Sequence, residues 1–493
     1  MSNIYLINIF ILNQKVYFLF SGTISPVGLC LKLKQKLYSC IYDIDKIPEI
    51  GEILVKIKSF YEKDHVKLYC FSVPEKELQK GTIIEAFENG IKLNISYIFN
   101  YIHRPLARKK LFLRIIQNKI IIETKKQQII NSLLSEEYSL KDKCYLLKAV
   151  FLPKKTFLFS EEKGLKSDSS FELFKYYVQQ GKSAYFVTNK KAIECEKNQI
   201  LKKHMIVRNS FQHRKYLLQC KRVVTSWSLN DCLGQVLKDI QLNQINFEWI
   251  FIPHGVTAGD KDSFELSKYN WGNADIVFSA LKIEEDIFHN QLGYPKVETT
   301  GYPRFDKWKK NNNNKDLAIF FSWRRLLYDP EKFKNSLYLR QIENLLKEIM
   351  IHYPEKNIYY FIHPAISMEN QEYLRQRLVS VYPKVKFICN DDDSENFIDV
   401  CNNCSCLITD YSSIAFDFSY KKSKVVHFLP NGFCEGGYTI QPKFYDIAQG
   451  YIASTVEECI RYLSFHDDFS SNNVFSFYDN HNSERVYNFL EGK

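Results

Sequence analysis

Short apolar runs alternate with amphipathic segments from residue 154 to the end of the chain, and this alternation constrains the fold more than any other feature. The runs at 156–160 and 183–188 have the length of buried strands. The segment at 169–180 between them places its apolar residues on one face, as a helix does. Strands that alternate with helices form parallel sheets, so the sequence predicts a doubly wound α/β architecture here.

A polar, basic stretch at 309–315 interrupts the alternation and has the composition of a linker. Residues 1–125 differ from the rest, because short runs rich in Ile, Val, Tyr and Phe alternate with turn-like pieces, which is typical of an antiparallel sandwich. We therefore predict a β-rich accessory domain, a helical connector, a first α/β domain, a linker and a second α/β domain, at 1–125, 126–152, 153–308, 309–316 and 317–493.

The chain has 493 residues, a length that predicts two to four domains. Its net charge of +11 favours anionic partners such as phosphorylated substrates or an acidic membrane surface. No block of Lys and Arg is long enough to require nucleic acid, so we expect no nucleic-acid partner. No run reaches the ~18 apolar residues of a spanning helix, and the apolar start lacks the basic residues of a signal peptide. We expect a cytoplasmic protein, or one that lies peripherally on the inner face of the cell membrane.

The 13 cysteines are scattered and odd in number, so a disulfide framework is not expected and a reducing compartment is. The tightest group is Cys401, Cys404 and Cys406. A zinc or iron–sulfur site would need a fourth ligand at suitable spacing, and none is evident. We therefore predict buried structural thiols at these positions and no metal ligands.

The stretch at 407–418 reads as an apolar strand end, an abrupt polar turn and an amphipathic segment. Its polar residues favour helix starts, and they are Thr409, Asp410, Ser412 and Ser413. The first N–H groups of a helix have no partner within the helix and can bind an anion. This stretch alone is explained equally well by a capped helix and by a phosphate site.

Polar residues also follow several other predicted strands, namely His254, Arg304, Ser322, Arg324 and His363. Open parallel sheets bind ligands at the carboxyl ends of their strands. A histidine there can act as a general base or donate to phosphate oxygens, and an arginine offers a bidentate fork for phosphate. Together with the turn at 409–413, these residues predict a phosphate-handling cleft between two α/β units.

Five motifs occur in order along the chain: Ile252-Pro-His-Gly-Val-Thr257, Thr300-Gly-Tyr-Pro-Arg-Phe-Asp306, Ser322-Trp-Arg324, Phe361-Ile-His-Pro364 and Leu407-Ile-Thr-Asp-Tyr-Ser-Ser413 with Phe416-Asp-Phe418. The set spans about residues 155–450 and resembles the CDP-glycerol:poly(glycerophosphate) glycerophosphotransferase family of teichoic-acid and capsule polymerases and primases. The resemblance implies a GT-B fold, in which two Rossmann-like domains face a cleft and the C-terminal one holds the CDP donor.

The resemblance also implies a reaction. A polyol phosphate, glycerol- or ribitol-phosphate, would pass from a CDP-linked donor to a hydroxyl of a growing or primer cell-surface polymer, with release of CMP. The acceptor would be a polyol-phosphate or glycan chain, free or lipid-linked. No cofactor is expected, because the CDP-polyol is a substrate, and the metal requirement stays open.

Roles for individual residues follow from matching motif positions. His254 matches the base that deprotonates the acceptor hydroxyl, with Gly255 beside it, and Arg304 matches a residue that organises the cleft or the phosphates. His363 matches a second catalytic histidine near the donor pyrophosphate. The donor-binding positions are Ser322, Arg324, Thr409, Asp410, Ser412 and Ser413. We expect Asp410 to shape the turn, because a carboxylate aimed at phosphate would repel it.

The chain departs from the family pattern at two places. Phe321-Ser322 stands where the family usually has Pro-Thr, and His427–Gly432 replaces an aromatic, acidic strand end. The second departure leaves the identity of the donor open. Two alternatives also stay open, namely a nucleotide-sugar glycosyltransferase of GT-B fold in capsule or lipopolysaccharide synthesis and a non-catalytic partner in polymer assembly.

Overall fold

The computed structural model describes most of the chain beyond residue 155 and a set of strands before it. The described residues are 3–12, 15–22, 29–33, 36–39, 67–74, 83–88, 91–92, 94–97, 112–116, 119–123, 156–162, 166, 168–234, 247–257, 274–291, 294, 296–309, 316–322, 324, 327, 329–363, 366–388, 394–434, 444–465 and 474–493. The predicted connector at 126–152 and the linker core at 310–315 lie outside them.

The N-terminal region contains β-strands, as its composition predicts. They are β1 (Asn3–Leu12), β2 (Lys15–Gly22), β3 (Leu29–Leu33), β4 (Lys36–Ser39), β5 (Lys67–Pro74), β6 (Ile83–Glu88), β7 (Ile91–Lys92), β8 (Asn94–Tyr97), β9 (Phe112–Ile116) and β10 (Lys119–Glu123). One sheet has the order β5-β2-β1-β8 and another β4-β3-β6-β10-β9, with β7 on β6. The described pairs are antiparallel except β1 with β8. A separate accessory domain remains a prediction.

The first α/β unit contains a seven-stranded sheet of order β13-β12-β11-β14-β15-β16-β17, and all its strand pairs are parallel. Its elements are β11 (Thr156–Ser160), α1 (Ser169–Gln179), β12 (Ala184–Thr188), α2 (Lys190–Cys195), α3 (Gln199–Lys203), β13 (Met205–Val207), α4 (Phe211–Gln219), β14 (Cys220–Thr225), α5 (Leu229–Leu233), β15 (Glu248–Phe251), β16 (Ile276–Ser279), α6 (Lys282–Asp286), a π-helical turn (Ile287–Gln291), β17 (Val297–Thr299) and a 3₁₀ helix (Pro303–Lys307).

The second unit contains a six-stranded sheet of order β20-β19-β18-β21-β22-β23, again with parallel pairs throughout. Its elements are β18 (Asp316–Phe320), α7 (Pro330–Lys334), α8 (Leu337–His352), β19 (Ile358–Phe361), α9 (Met368–Val381), β20 (Val385–Ile388), α10 (Ser394–Asn403), β21 (Cys404–Thr409), α11 (Ile414–Tyr420), β22 (Lys424–Phe428), α12 (Phe444–Ala448), β23 (Tyr451–Ala453), α13 (Val456–Ser464) and α14 (Asn482–Glu491).

The two sheets share one topology, which locates the ligand-binding edge of each. In both, the first strand of the unit lies at the centre and the chain first moves outward on one side and then on the other. This arrangement creates a switch point, between β11 and β14 in the first sheet and between β18 and β21 in the second. Ligands of open α/β sheets bind at such points, outside the carboxyl ends of the strands. The doubly wound α/β prediction is confirmed.

Helix α8 illustrates how the sequence produces these elements. Ser336 precedes it, and its side chain accepts a hydrogen bond from the N–H of Leu339, which caps the first turn. The helix then buries one face, whose residues recur at helical spacing: Tyr338, Leu339, Ile342, Leu345, Leu346 and Ile349. This face packs in the hydrophobic cluster that also contains strands β18 and β19.

The last helix, α14, returns to the first unit and packs against α1 and the 3₁₀ helix. The Asp306 carboxylate accepts the N–H groups of Asn482 at 2.9 Å and Ser483 at 2.8 Å, which lie at the start of α14. Gly301 has a φ of 77°, and a Cβ there would lie 1.9 Å from Oδ1 of Asn482, so only glycine fits. The motif at 300–306 therefore forms the surface of the first unit against which the start of α14 packs.

No helix in the described part of the chain is long and apolar enough to cross a bilayer.

We predict that Asp306→Ala lowers the free energy of unfolding by about 1–3 kcal/mol, because it removes an acceptor from three N–H donors at the start of α14. Equilibrium denaturation measures the change. The control is Glu484→Ala on the same helix, where the exposed carboxylate pairs with exposed His481 and should contribute less than about 0.5 kcal/mol. Equal effects of the two substitutions would contradict a docking role for Asp306.

Candidate active site

Asp410 joins the two strands at the switch point of the second sheet. It directly follows β21, and its fully buried carboxylate accepts hydrogen bonds from residues that follow the neighbouring strand β18. Oδ1 accepts from the Ser322 hydroxyl at 2.8 Å, and the Ser322 N–H lies 3.0 Å from both carboxylate oxygens. Oδ1 also accepts from the Ser412 N–H at 3.2 Å. The carboxylate therefore shapes the turn, as the sequence predicts for it.

Arg324 completes this buried group. Its Nη2 lies 2.5 Å from Oδ2 of Asp410, and both side chains have 0% exposure. The guanidinium also lies 4.3 Å from the ring centre of Tyr338 and 4.9 Å from that of Phe433. Burial works against its charge, but Asp410 outweighs burial, and the pKa of Arg324 is raised. Contact between Arg324 and a CDP-linked donor remains a proposal, because the Arg324 side chain has no solvent exposure in this conformation.

The other residues of the turn divide into buried and accessible ones. Thr409 is fully buried, and its hydroxyl donates to the Phe320 carbonyl oxygen at 2.6 Å, which ties β21 to β18. Ser412 and Ser413 are half-buried at the start of α11. Ser412 and Ser413 are therefore better placed than Thr409 to meet a ligand.

His363 lies two residues beyond the end of β19, next to β18 in the sheet. Its ring centre is 5.8 Å from that of Phe320. Burial lowers the pKa of His363 to about 4, although the negative charge of Asp410 opposes the shift. The side chain is thus a neutral imidazole on the same sheet edge as Asp410.

His254 lies in the turn that follows β15 in the first unit. The Trp227 ring, which follows β14, meets the imidazole edge to face with ring centres 3.9 Å apart. Burial, together with the positive charge of Arg304, lowers the pKa of His254 to about 3. The imidazole is therefore neutral at physiological pH.

A buried carboxylate holds the chain just after this turn. Glu284 has 0% exposure, and its Oε1 accepts from the N–H of Thr257 at 2.8 Å and from the Tyr302 hydroxyl at 2.9 Å. Its Oε2 accepts from the N–H groups of Ala280 and Leu281. Burial raises the pKa of Glu284, and these donors oppose the shift.

Arg304 connects the His254 turn to the second unit. Its Nε and Nη2 donate to the two carboxylate oxygens of Asp417 on α11, at 2.8 and 2.5 Å, and its Nη1 donates to the backbone carbonyl of His254. The same Nη1 lies 3.6 Å from Oδ1 of Asp168, at the start of α1. Of the two roles predicted for Arg304, this geometry fits the organisation of the cleft, while phosphate binding remains a proposal.

Gly255 meets Ser413 where the two units touch. A Cβ at Gly255 would lie 2.6 Å from the Ser413 hydroxyl oxygen and 3.1 Å from its Cβ. The first unit's histidine turn is therefore in close contact with the start of α11 in the second unit. The turn with His254 and Gly255, which Arg304 holds, contacts Ser413 of the second unit. Ser412, the residue before Ser413, is hydrogen-bonded to Asp410, which also binds Ser322 and Arg324.

The three clustered cysteines are buried, as predicted: Cys401 lies on α10, and Cys404 and Cys406 lie on β21. Burial raises the pKa of each thiol. Among the described residues no group of three His, Cys, Asp or Glu side chains is arranged to hold a metal ion.

Sequence reasoning assigned no role to five residues that support the site, although Asp417 stands in one of the five motifs and His427 opens the second departure. These are Asp168, Trp227, Glu284, Asp417 and His427, whose Nδ1 lies 2.7 Å from the Asp410 carbonyl oxygen. One of them left a signal: Asp417 is a charged residue within the apolar run at 414–418, where an unpaired charge would be costly. The others reach the site through tertiary contacts that no local pattern shows.

A family model described as CDP-Glycerol:Poly(glycerophosphate) glycerophosphotransferase matches residues 144–492, well over half of the chain. The chain belongs to this family. The resemblance drawn from the five motifs is thereby confirmed.

A relative from Bacillus subtilis (strain 168), the minor teichoic acid biosynthesis protein GgaB, is 27% identical over 448 residues. The match covers 80% of this chain but only 47% of GgaB, so the chain spans about half the length of that relative. Two solved structures of the wall teichoic acid polymerase TagF superpose with TM-scores of 0.53 and 0.50 at 16% identity. Each covers 75% of this chain and 96% of the TagF chain, which shows a shared fold.

We predict that Gly255→Ala lowers the free energy of unfolding by about 1–3 kcal/mol, because the added methyl group overpacks the contact with Ser413. Gly255 lies outside the left-handed region, so the backbone itself accepts alanine. The double substitution Gly255→Ala with Ser413→Gly removes the atoms in conflict and should recover most of the loss. Strictly additive losses in denaturation experiments would contradict this contact.

We also predict that the histidine contribution to stability falls as the pH drops from 6.5 towards 4, while the raised pKa values of Glu284, Asp306 and Asp417 act in the opposite direction. His213, His254 and His363, whose ordinary pKa is 6.5, are held near 3, 3 and 4, so the unfolded chain binds protons that the folded chain does not. Asp168 acts in the opposite direction, since burial raises its pKa from 3.8 to about 6 and the folded chain keeps that proton.

His254→Gln should remove one of these protons and reduce the slope of stability against pH by about 1.4 kcal/mol per pH unit. Denaturation curves at pH 7, 6 and 5 measure the slope, with His481→Gln at an exposed position as the control. An unchanged slope in the His254 variant would show that this imidazole is not held neutral.

Proposed function

We propose that this protein transfers a polyol phosphate, glycerol- or ribitol-phosphate, from a CDP-linked donor to a hydroxyl of a growing or primer cell-surface polymer. Membership of the glycerophosphotransferase family supports this reaction. The relative GgaB is named for minor teichoic acid biosynthesis, which supports a polymer of teichoic type as the acceptor. Family membership also favours polyol-phosphate transfer over nucleotide-sugar glycosyl transfer and over a non-catalytic role.

The observation that carries the proposal is the contact between Gly255 and Ser413. It sets a neutral histidine of the first unit against the helix start that follows the switch point of the second. A phosphoryl transferase of this kind needs a base for the acceptor and a cradle for the donor phosphates within reach of each other. The arrangement fits a GT-B architecture with the reaction between the two sheets.

The second unit is the better donor site, because the first unit's switch point is closed by its own carboxylate. Glu161 follows β11, and its Oε1 accepts the N–H groups of Asp168 at 3.0 Å and Phe171 at 2.8 Å. The Ser226 hydroxyl accepts the N–H of Ser170 at 2.9 Å. A phosphate at the start of α1 would meet occupied donors and a negative charge.

Asp410 takes a different position at the second switch point. Its carboxylate is directed into the protein, where Ser322 and Arg324 hold it. The start of α11 therefore presents half-buried Ser412 and Ser413. This difference supports assignment of the CDP moiety to the second sheet, with Ser412 and Ser413 near the pyrophosphate.

In the proposed step the acceptor hydroxyl oxygen attacks the phosphorus that carries the polyol. A new phosphorus–oxygen bond forms, the bridging bond to the cytidine-bearing phosphate breaks, and CMP leaves with the bridging oxygen. His254 accepts the hydroxyl proton. A bound pyrophosphate adds negative charge, which raises the pKa of His254 towards the range where a base is effective. Most of the acceleration would come from positioning and charge stabilisation.

We also propose that the protein acts at the inner face of the cell membrane. Its net charge of +11 favours an anionic leaflet or an anionic polymer. The acceptor is then a polyol-phosphate or glycan chain, free or attached to lipid.

We predict that CDP-glycerol or CDP-ribitol, with a polyol-phosphate acceptor, releases CMP, and that His254→Ala reduces the release by about 100-fold or more through loss of the base. Chromatography of the nucleotide products measures the release. His352→Ala at an exposed position of α8 is the control and should keep full activity. Full activity in the His254 variant would refute its role as the base.

The donor class is tested by thermal shift. CDP-polyols should raise the unfolding temperature more than UDP-, GDP- or CMP-sugars do, because only they match the donor site proposed here. Protection by a nucleotide sugar alone would support a glycosyltransferase. No protection by any donor, together with no CMP release, would support a non-catalytic partner.

A further inference from the structure

Asp417 is a buried charge that the proposed mechanism does not use. It lies in the middle of α11 with 1% exposure, between Phe416 and Phe418, both fully buried. A carboxylate in such a place is costly unless a cation and hydrogen bonds compensate it. Its compensation comes from another unit of the protein, because Arg304 belongs to the 3₁₀ helix that ends the first unit.

The contacts of Arg304 form a chain from Asp417 to the catalytic turn. Two guanidinium nitrogens donate to Asp417, at 2.8 and 2.5 Å, in the bidentate geometry that fixes a guanidinium in plane and direction. The third nitrogen is then aimed at the backbone carbonyl of His254, to which it donates. The guanidinium thus holds the main chain at His254, and Asp417 sets its orientation.

Because Asp417 lies on α11, its contact with Arg304 links this helix to the His254 turn. The residue that precedes this helix, Ser413, contacts Gly255. Helix α11 therefore touches the His254–Gly255 turn twice, through the Ser413 side chain and through Asp417 and Arg304. Displacement of the helix start by a ligand would move both contacts together, since Ser413 caps the helix that carries Asp417.

We propose that Asp417 is a positioning residue for His254: acting through Arg304, it fixes the backbone of the histidine turn and links it to the helix start on the donor side. The proposal rests on the proposed function only in taking His254 as the base. Asp168 contributes less to the orientation, because it lies 3.6 Å from Nη1 and makes one contact.

The first test is Asp417→Asn, which keeps the shape of the side chain, removes its charge and replaces one accepting oxygen with an NH2 group. We expect kcat to fall by about 100-fold, as for a misplaced catalytic group, with KM for the CDP-polyol within about twofold of the wild type. Arg304→Lys keeps the charge but cannot make three directed contacts, so we expect the same split. Asp399→Asn, at an exposed position of α10, is the matched control and should leave kcat and KM unchanged.

The second test uses NMR to observe the environment of His254 and requires no enzymatic reaction. Histidine labelled with ¹³C at Cε1 gives one NMR signal per residue, and His254→Gln identifies the signal of His254. We expect Asp417→Asn and Arg304→Lys to move that signal. Asp399→Asn should leave the signal unchanged.

The outcomes separate the two hypotheses. A wild-type kcat with an unmoved His254 signal in Asp417→Asn overturns the positioning role. A loss confined to KM also overturns it, because that assigns Asp417 to donor binding. If Asp417→Asn does not fold, Asp417→Glu, which keeps the charge but shifts it by one methylene, is measured in the same way. If the wild type releases no CMP, the proposed reaction fails, and the NMR signal still decides whether Asp417 positions His254.

Discussion

Carboxylates that accept backbone N–H groups hold several turns in and around the candidate site. Glu284 holds the chain after the His254 turn, Asp410 holds the end of β18, and Asp306 holds the start of α14. Glu161 does the same at the start of α1. A carboxylate can accept several N–H bonds at once, so one side chain fixes a loop that has no ladder partner. The cost is burial of charge, which is tolerated only because donors surround each group.

The same device makes the switch points of the two sheets differ, although the seven-stranded and the six-stranded sheet are wound in the same way. Where the carboxylate lies across a helix start, as Glu161 does, the N–H groups are used and an anion has no place. The Asp410 carboxylate instead points into the protein, towards Arg324. The hydroxyls of Ser412 and Ser413 are then the polar groups at the start of the next helix. Strand order alone gives each sheet a switch point, and under the proposed function the direction of one side chain determines whether that point can receive phosphate.

The local parts of this fold could be predicted from sequence, and the contacts between units could not. Periodic apolar runs identified strands such as β11 and β21 and helices such as α1 and α8, since a buried face leaves its period in the chain. The strand-end positions of His254, Ser322 and Asp410 followed from the same pattern. The partners of Arg304 did not, because Asp168 and Asp417 are 136 and 113 residues from it and no local rule pairs them. The docking of α14 on the first unit did not follow either, because Lys182, Arg222 and Asp306, which bind this helix, are far from it in sequence.

The pairing of both predicted arginines has a consequence for catalysis. Arg304 and Arg324 each have a carboxylate partner within hydrogen-bond distance, so neither brings an uncompensated charge to a pyrophosphate in this conformation. Phosphoryl transfer nevertheless requires stabilisation of the charge that develops on the leaving phosphate. Within the described part of the site, the groups suited to this are the half-buried hydroxyls of Ser412 and Ser413 and the imidazole of His363, whose protonation an anionic donor would favour. Donor binding would then charge His363 and strengthen His254 as a base through one electrostatic effect, so the two histidines respond together to the same ligand.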